Sequence, residues 1–155
     1  MSGVSLASLT NQKIDTAKRF IQQSQDMDEK WLSVGLESSA IFQLKSALNG
    51  LLKEISTAYS LSGSLDVSVL MKEAESKHMV VPALSELADL YSRKDSWCAQ
   101  LEQAYLAQLE CRAAVSVMGS DNLIGRGNDA GASVGFYLAN LAELVLRFRE
   151  ESSEY

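Results

Sequence analysis

The chain carries a single histidine, and it closes the stretch Glu75-Ser76-Lys77-His78. A Glu-x-x-His on a helix sets a carboxylate and an imidazole one turn apart, the spacing that helical di-iron bundles use in two copies. With His78 alone, no second copy can be built within this chain. Cys98 and Cys111, the only cysteines, form no Cys-x-x-Cys pair, so they suggest no zinc site. We expect neither a metal nor a cofactor.

Nucleophilic catalysis meets the same limit. A Ser-His-Asp or Cys-His site would have to use His78, and no Gly-x-Ser-x-Gly turn is present. A helical ribonuclease pairing arginine with histidine would need an arginine shortly before His78, where none lies. Carboxylate chemistry is left, and its residues would be Glu37 and Glu54. Glu37 stands one turn before Ile41, on the extension of an apolar stripe, where partial burial would raise its pKa. The plainer expectation is that the stripe reaches the open end of a bundle there and leaves Glu37 solvated. No catalytic set emerges, and we expect a protein that is not an enzyme.

Glycine could still bring phosphate chemistry. The stretch GSDNLIGRGNDAGASVG, residues 119–135, holds five of the nine glycines. A phosphate loop needs glycines at fixed places between a strand and a helix, with a lysine or the helix N-terminus aimed at the phosphates. Here the element upstream reads as a helix and no Gly-Lys-Ser/Thr follows. Gly125-x-Gly127-x-x-x-Gly131 also misses the dinucleotide spacing by one residue. Residues 119–131 therefore read as a flexible connection, with Leu123 and Ile124 as docking points.

The elements around these residues are helical. Thr10 is the expected N-cap of a first helix that carries Ile14, Ala17 and Ile21 to about Gln25. A second helix is expected over 28–60, capped by Asp26 or Asp28. Its stripe runs through Ile41, Leu44, Leu48, Leu52, Ile55 and Tyr59. Gly35 reads as a bend, and Gly50 as a place where a neighbouring helix comes close. Gly63 is the expected left-handed C-cap residue. Ser64 or Asp66 starts a short third helix to about Lys77, and Pro82 opens a fourth. Asp95 or Ser96 starts a fifth, with Trp97, Cys98, Leu101, Tyr105 and Leu109 on one face, fading near Met118. A sixth is expected from Ala132, with Tyr137, Leu141, Leu144 and Phe148 inward.

At 155 residues, 46% of them hydrophobic and 22% charged, the chain suits one globular domain over 1–155. A single proline leaves long helices uninterrupted. The expected fold is all-α: an antiparallel bundle of four long helices, two short connecting helices, and the glycine-rich flexible loop before the last helix.

A net charge of −6 disfavours nucleic acid as a partner. Lys18-Arg19, Arg93-Lys94, Arg147 and Arg149 each lie beside carboxylates and read as solvated helix faces. No apolar run is long enough to span a bilayer, and the N-terminus lacks the basic and apolar regions of a signal peptide. Cysteines thirteen residues apart on one helix would stand roughly 20 Å from each other, too far to bridge. A reducing, cytoplasmic setting follows as the expectation.

The second helix, ESSAIFQLKSALNGLLKEISTAYSL, carries Ala40, Phe42, Leu44, Ala47-Leu48, Gly50-Leu51, Glu54-Ile55 and Tyr59. In these it resembles a family of short, uncharacterised gammaproteobacterial proteins classed as a domain of unknown function. The likeness extends to TNQK at 10–13, SELADL and SWCAQL within 85–101, and RFREESSEY at 147–155. It implies a helical cytoplasmic protein with a variable connection at the glycine-rich stretch, and it transfers no catalytic residue.

The functional expectation is a non-catalytic interaction or accessory module, with a protein partner or self-association. The alternative is a bundle binding a small apolar ligand or lipid in a cavity under Trp97 and Tyr105. The first requires an exposed apolar surface, the second a pocket of about 300 Å³ or more.

Overall fold

The structure, a computed structural model, describes residues 5–113 and 126–152. The helices are α1 (Leu6–Asp26), α2 (Lys30–Tyr59), α3 (Val67–Ser76), α4 (Pro82–Ser92), α5 (Trp97–Leu109) and α6 (Arg126–Ser152). The all-α bundle expected from the sequence is what forms. No helix among the described residues is long and apolar enough to cross a membrane.

Local chemistry sets most boundaries. Ser5, not Thr10, caps α1: its hydroxyl accepts the Ser8 N–H at 3.1 Å. Thr10 lies inside the helix, buried, with its hydroxyl donating to the Leu6 carbonyl. Glu29 stands at the N-cap of α2 without a side-chain bond, so neither Asp26 nor Asp28 caps it. Through thirty residues α2 passes Gly35 and Gly50 as one helix. It ends on Ser60, whose φ of 55° takes the left-handed position expected of Gly63. Asp66 caps α3 by accepting the Ser68 and Val69 N–H groups. Pro82 opens α4 after extended Val81, and Ser96 caps α5 through the Ala99 N–H.

Two boundaries depart from expectation around the glycine-rich stretch. α5 stops at Leu109 instead of fading near Met118, and Cys111 beyond it has φ 54°. With thirteen residues, α5 is closer in length to α3 and α4 than to the long helices. α6 begins at Arg126, ahead of the expected Ala132. The part of the proposed connection from 126 to 131 is thus helical, while 119–125 lie outside the described residues.

The directions of the helices follow from their pairings. α1 and α2 form a hairpin across three residues. Lys45 meets Glu102 and Phe42 meets Tyr105, so α2 and α5 run antiparallel. Arg149, late in α6, reaches Glu54 late in α2 and Ala7 early in α1. α6 is therefore parallel to α2 and antiparallel to α1, with the α3–α4 pair connecting α2 to α5. The core is Leu44, Leu48, Leu51 and Ile55 of α2 with Leu70, Leu84, Leu87, Leu101, Leu141, Leu144 and Val145. Each fully buried aliphatic side chain contributes about 1.5–3 kcal/mol.

α2 begins at Lys30, yet its first buried residue is Ala40. Its first three turns therefore extend past the buried part of α2 as an arm, alongside the end of α1, where Ile21 and Ser24 are buried.

Candidate functional site

The arm and the turn that joins it to the core carry an exposed apolar strip. Trp31, Val34 and Phe42 are 72%, 51% and 54% exposed. Spacings of three and eight residues hold them within one side of α2. That side is the one against which α5 packs, through Phe42 and Tyr105 with ring centroids 6.3 Å apart. Because α5 runs antiparallel and ends at Leu109, its last residue lies only about 6 Å past Tyr105 along the axis. Trp31, eleven residues before Phe42, stands roughly 16 Å away along α2, beyond the reach of α5. Phe42, Tyr105, Gln108 and Leu109 line a shallow concavity of about 190 Å³ at the inner end of the strip. Leu109 itself is exposed. The Trp31 indole N–H donates to the Glu29 carboxylate.

A second feature is a half-open cleft of about 380 Å³ between α2, α4, α5 and the start of α3. Leu52, Leu65, Val67 and Ala88 give it apolar walls, and Lys45, Asp66, Ser68, Tyr91 and Glu102 give it polar groups. The Lys45 ammonium lies 2.6 Å from Glu102 Oε2 and 5.8 Å from the centre of the Tyr105 ring. Glu102 Oε2 is fully buried, and its contact within the protein is this ion pair. Asp66 Oδ1 accepts three hydrogen bonds, from the Ser68 hydroxyl and from the Ser68 and Val69 N–H groups. These bonds, the Ser68 hydroxyl first, hold its carboxyl below the usual range. Beneath the cleft, burial raises the pKa of the Tyr91 phenol, which faces the Cys98 thiol. Burial pushes that thiol up to about 11. It stays protonated at neutral pH and is a poor nucleophile.

The residues singled out from the sequence do not converge. Glu37, expected as solvated at the open end of the bundle, is instead half-buried, and burial raises its pKa. Glu54 lies seventeen residues further along α2, roughly 25 Å away. Its carboxylate is held bidentately by Arg149, so the two glutamates share no site. His78 is exposed with φ 57° at the end of α3, and no group of three potential metal ligands occurs among the described residues.

Trp97 is a core residue, Tyr105 lines the concavity of about 190 Å³ beside Phe42, and the larger cleft is bordered by Tyr91 and Glu102. Arg147 and Arg149, expected as solvated, instead bridge helices to Glu86 and Glu54. Lys45, Asp66, Tyr91 and Glu102 come together from four elements. No linear motif links them.

A protein-family model described as a family of unknown function (DUF6586) matches residues 1–155. No curated protein and no solved structure matches the chain.

Proposed function

The chain belongs to this family of unknown function, and we propose that it is a non-catalytic interaction module whose arm docks an amphipathic basic helix of a partner protein. The observation that carries this reading is Trp31, exposed with Val34 at the outer end of a strip that starts where Phe42 meets α5, an end that α5 is too short to cover. Tryptophan in such a strip is the residue type that most often anchors an interface. A flat-sided helical strip of this kind is matched by another helix presenting apolar residues every three or four positions.

Charge selects among helices. Between residues 20 and 44 the arm has four carboxylates (Asp26, Asp28, Glu29 and Glu37) and one lysine, Lys30. A partner with lysine or arginine flanking its apolar face is attracted, while a second copy of this chain brings like charges together. The two free thiols, one buried and one exposed, agree with a reducing, cytoplasmic setting.

The test is a titration of the full chain with two synthetic helical peptides of identical leucine pattern, one flanked by lysines and one by glutamates. The lysine peptide is expected to bind, more weakly as salt rises, with affinity falling at least about tenfold in Trp31→Ala. Equal binding of both peptides, or no effect of Trp31→Ala, overturns the reading. Native mass spectrometry showing a dimer that Trp31→Ala dissolves would replace the partner helix by a second copy.

A further inference from the structure

The cleft between α2, α3, α4 and α5 is independent of the arm strip and has its own charge problem. Two carboxylates, Asp66 and Glu102, line it with one ammonium, Lys45. That ammonium contacts Glu102 and lies over the Tyr105 ring, and its charge acts on Asp66 only as the weakest of the influences there. No ion pair reaches Asp66 among the described residues, and all its hydrogen bonds run to Oδ1. Asp66 Oδ2 therefore keeps acceptor capacity that no hydrogen bond among the described residues uses, whereas Glu102 Oε2 is buried against Lys45. The walls around them, Leu52, Leu65, Val67 and Ala88, are apolar. A volume of about 380 Å³ lies within the range of small-molecule sites, and a few polar groups among apolar walls is their usual make-up.

We propose that this cleft binds a small organic ammonium ion, a primary amine carrying a compact apolar group. The amine would donate to Asp66 Oδ2 and supply a second positive charge for the two carboxylates of the cleft, while its apolar part would lie against Leu52, Val67 and Ala88. A carboxylate ligand of the same shape meets the opposite condition, because it would add a third negative charge beside a single ammonium already in use. Tyr91 and Cys98 take no chemical part: both stay protonated at neutral pH, so the site holds its ligand without reacting with it.

The experiment is an amide chemical-shift titration of the full chain at neutral pH with 2-phenylethylammonium, and separately with phenylacetate at the same ionic strength. The amine is expected to give saturable shifts around Asp66, Ser68 and Ala88, and phenylacetate none. Asp66→Asn keeps an N-cap side chain and removes the charge, and it should weaken the amine by about tenfold. Glu102→Gln is the second variant, expected to act in the same direction, with far-UV circular dichroism confirming the fold of both. The proposal is overturned if neither probe binds or phenylacetate binds as well as the amine. It is also overturned if the shifts centre on Phe42 and Leu109, or if both variants keep full affinity.

Discussion

Thr10 of α1 and Gly50 of α2 touch so closely that a Cβ on Gly50 would lie 2.5 Å from Thr10 Oγ1 and 3.3 Å from Thr10 Cβ. Glycine in a helix interior costs about 1 kcal/mol against alanine. The missing methyl here makes room for the neighbouring helix, whose threonine is buried against it.

Gly50→Ala is accordingly expected to destabilise the fold, although alanine is the better helix former. Overpacking costs about 1–3 kcal/mol, against a propensity gain of about 1 kcal/mol, so the net loss should be about 1 kcal/mol. Thr10→Ala in the same chain removes the nearest obstacle and should recover most of it. Urea unfolding of the two single variants and the double variant gives the coupling. Additive effects would mean that the two helices do not meet at this point.

Arg149 makes a second prediction across the same end of the bundle. Its guanidinium donates to Glu54 at 3.0 and 3.1 Å, to Asn11 Oδ1 at 2.8 Å and to the Ala7 carbonyl at 3.2 Å. The Glu54 side chain is only 9% exposed and that of Arg149 25%. Removing one member of a buried pair costs about 3–5 kcal/mol, and solvent screening at the arginine reduces this. Arg149→Met should therefore lose about 2 kcal/mol. Arg147→Met, which breaks a more exposed pair with Glu86, should lose less than about 1 kcal/mol. Chemical denaturation ranks the two, and equal losses would deny Arg149 its special place.

These two contacts mark how far the sequence reaches. Gly50 announces a close approach because a glycine inside a strong apolar stripe has few other uses, and the stripe itself gives α2 and its core face. Arg149 announces nothing, since its partners lie on α1 and α2 and only the folded chain brings them together. The end of α5 is hidden for another reason: no glycine or proline stands at Glu110 or Cys111, and the apolar pattern continues beyond them. Without that stop, the exposure of Trp31 cannot be read. The charged cleft is equally silent, because positions 45, 66, 91 and 102 belong to four separate elements.

Glu73 predicts a pH dependence. Its carboxylate accepts the Ser62 N–H at 3.0 and 2.9 Å and the Gly63 N–H at 2.8 Å, and it pairs with Lys77. These backbone bonds first, then Lys77, lower its pKa from 4.5 to about 2. A carboxylate lowered on folding stabilises the native state above its unfolded pKa and loses that effect as pH falls through the folded value. The contribution should thus be complete above about pH 5 and fade between about 4.5 and 2. Melting temperatures of the wild type and Glu73→Gln should differ most near neutral pH and converge toward pH 2. A constant difference across that window would show that the carboxylate's charge is not what holds the turn.

The cysteines give the sharpest contrast between two residues of one type. Cys98 is fully buried against Tyr91, and burial raises its pKa to about 11. Cys111 lies past the end of α5 and is exposed. Thiolate is the reactive form, so a thiol needs both access and ionisation, and Cys98 has neither. An aromatic disulfide reagent at pH 8 should label one thiol per native chain quickly, and Cys111→Ser should abolish that phase. The second thiol should react at the rate of unfolding and speed up with urea. Rapid labelling of both thiols in the native protein would show that α4 and α5 part readily at Tyr91, and would open the floor of the cleft to solvent. A single fast phase assigned to Cys111 supports a rigid floor, the condition under which Asp66 and Glu102 can hold a ligand in place.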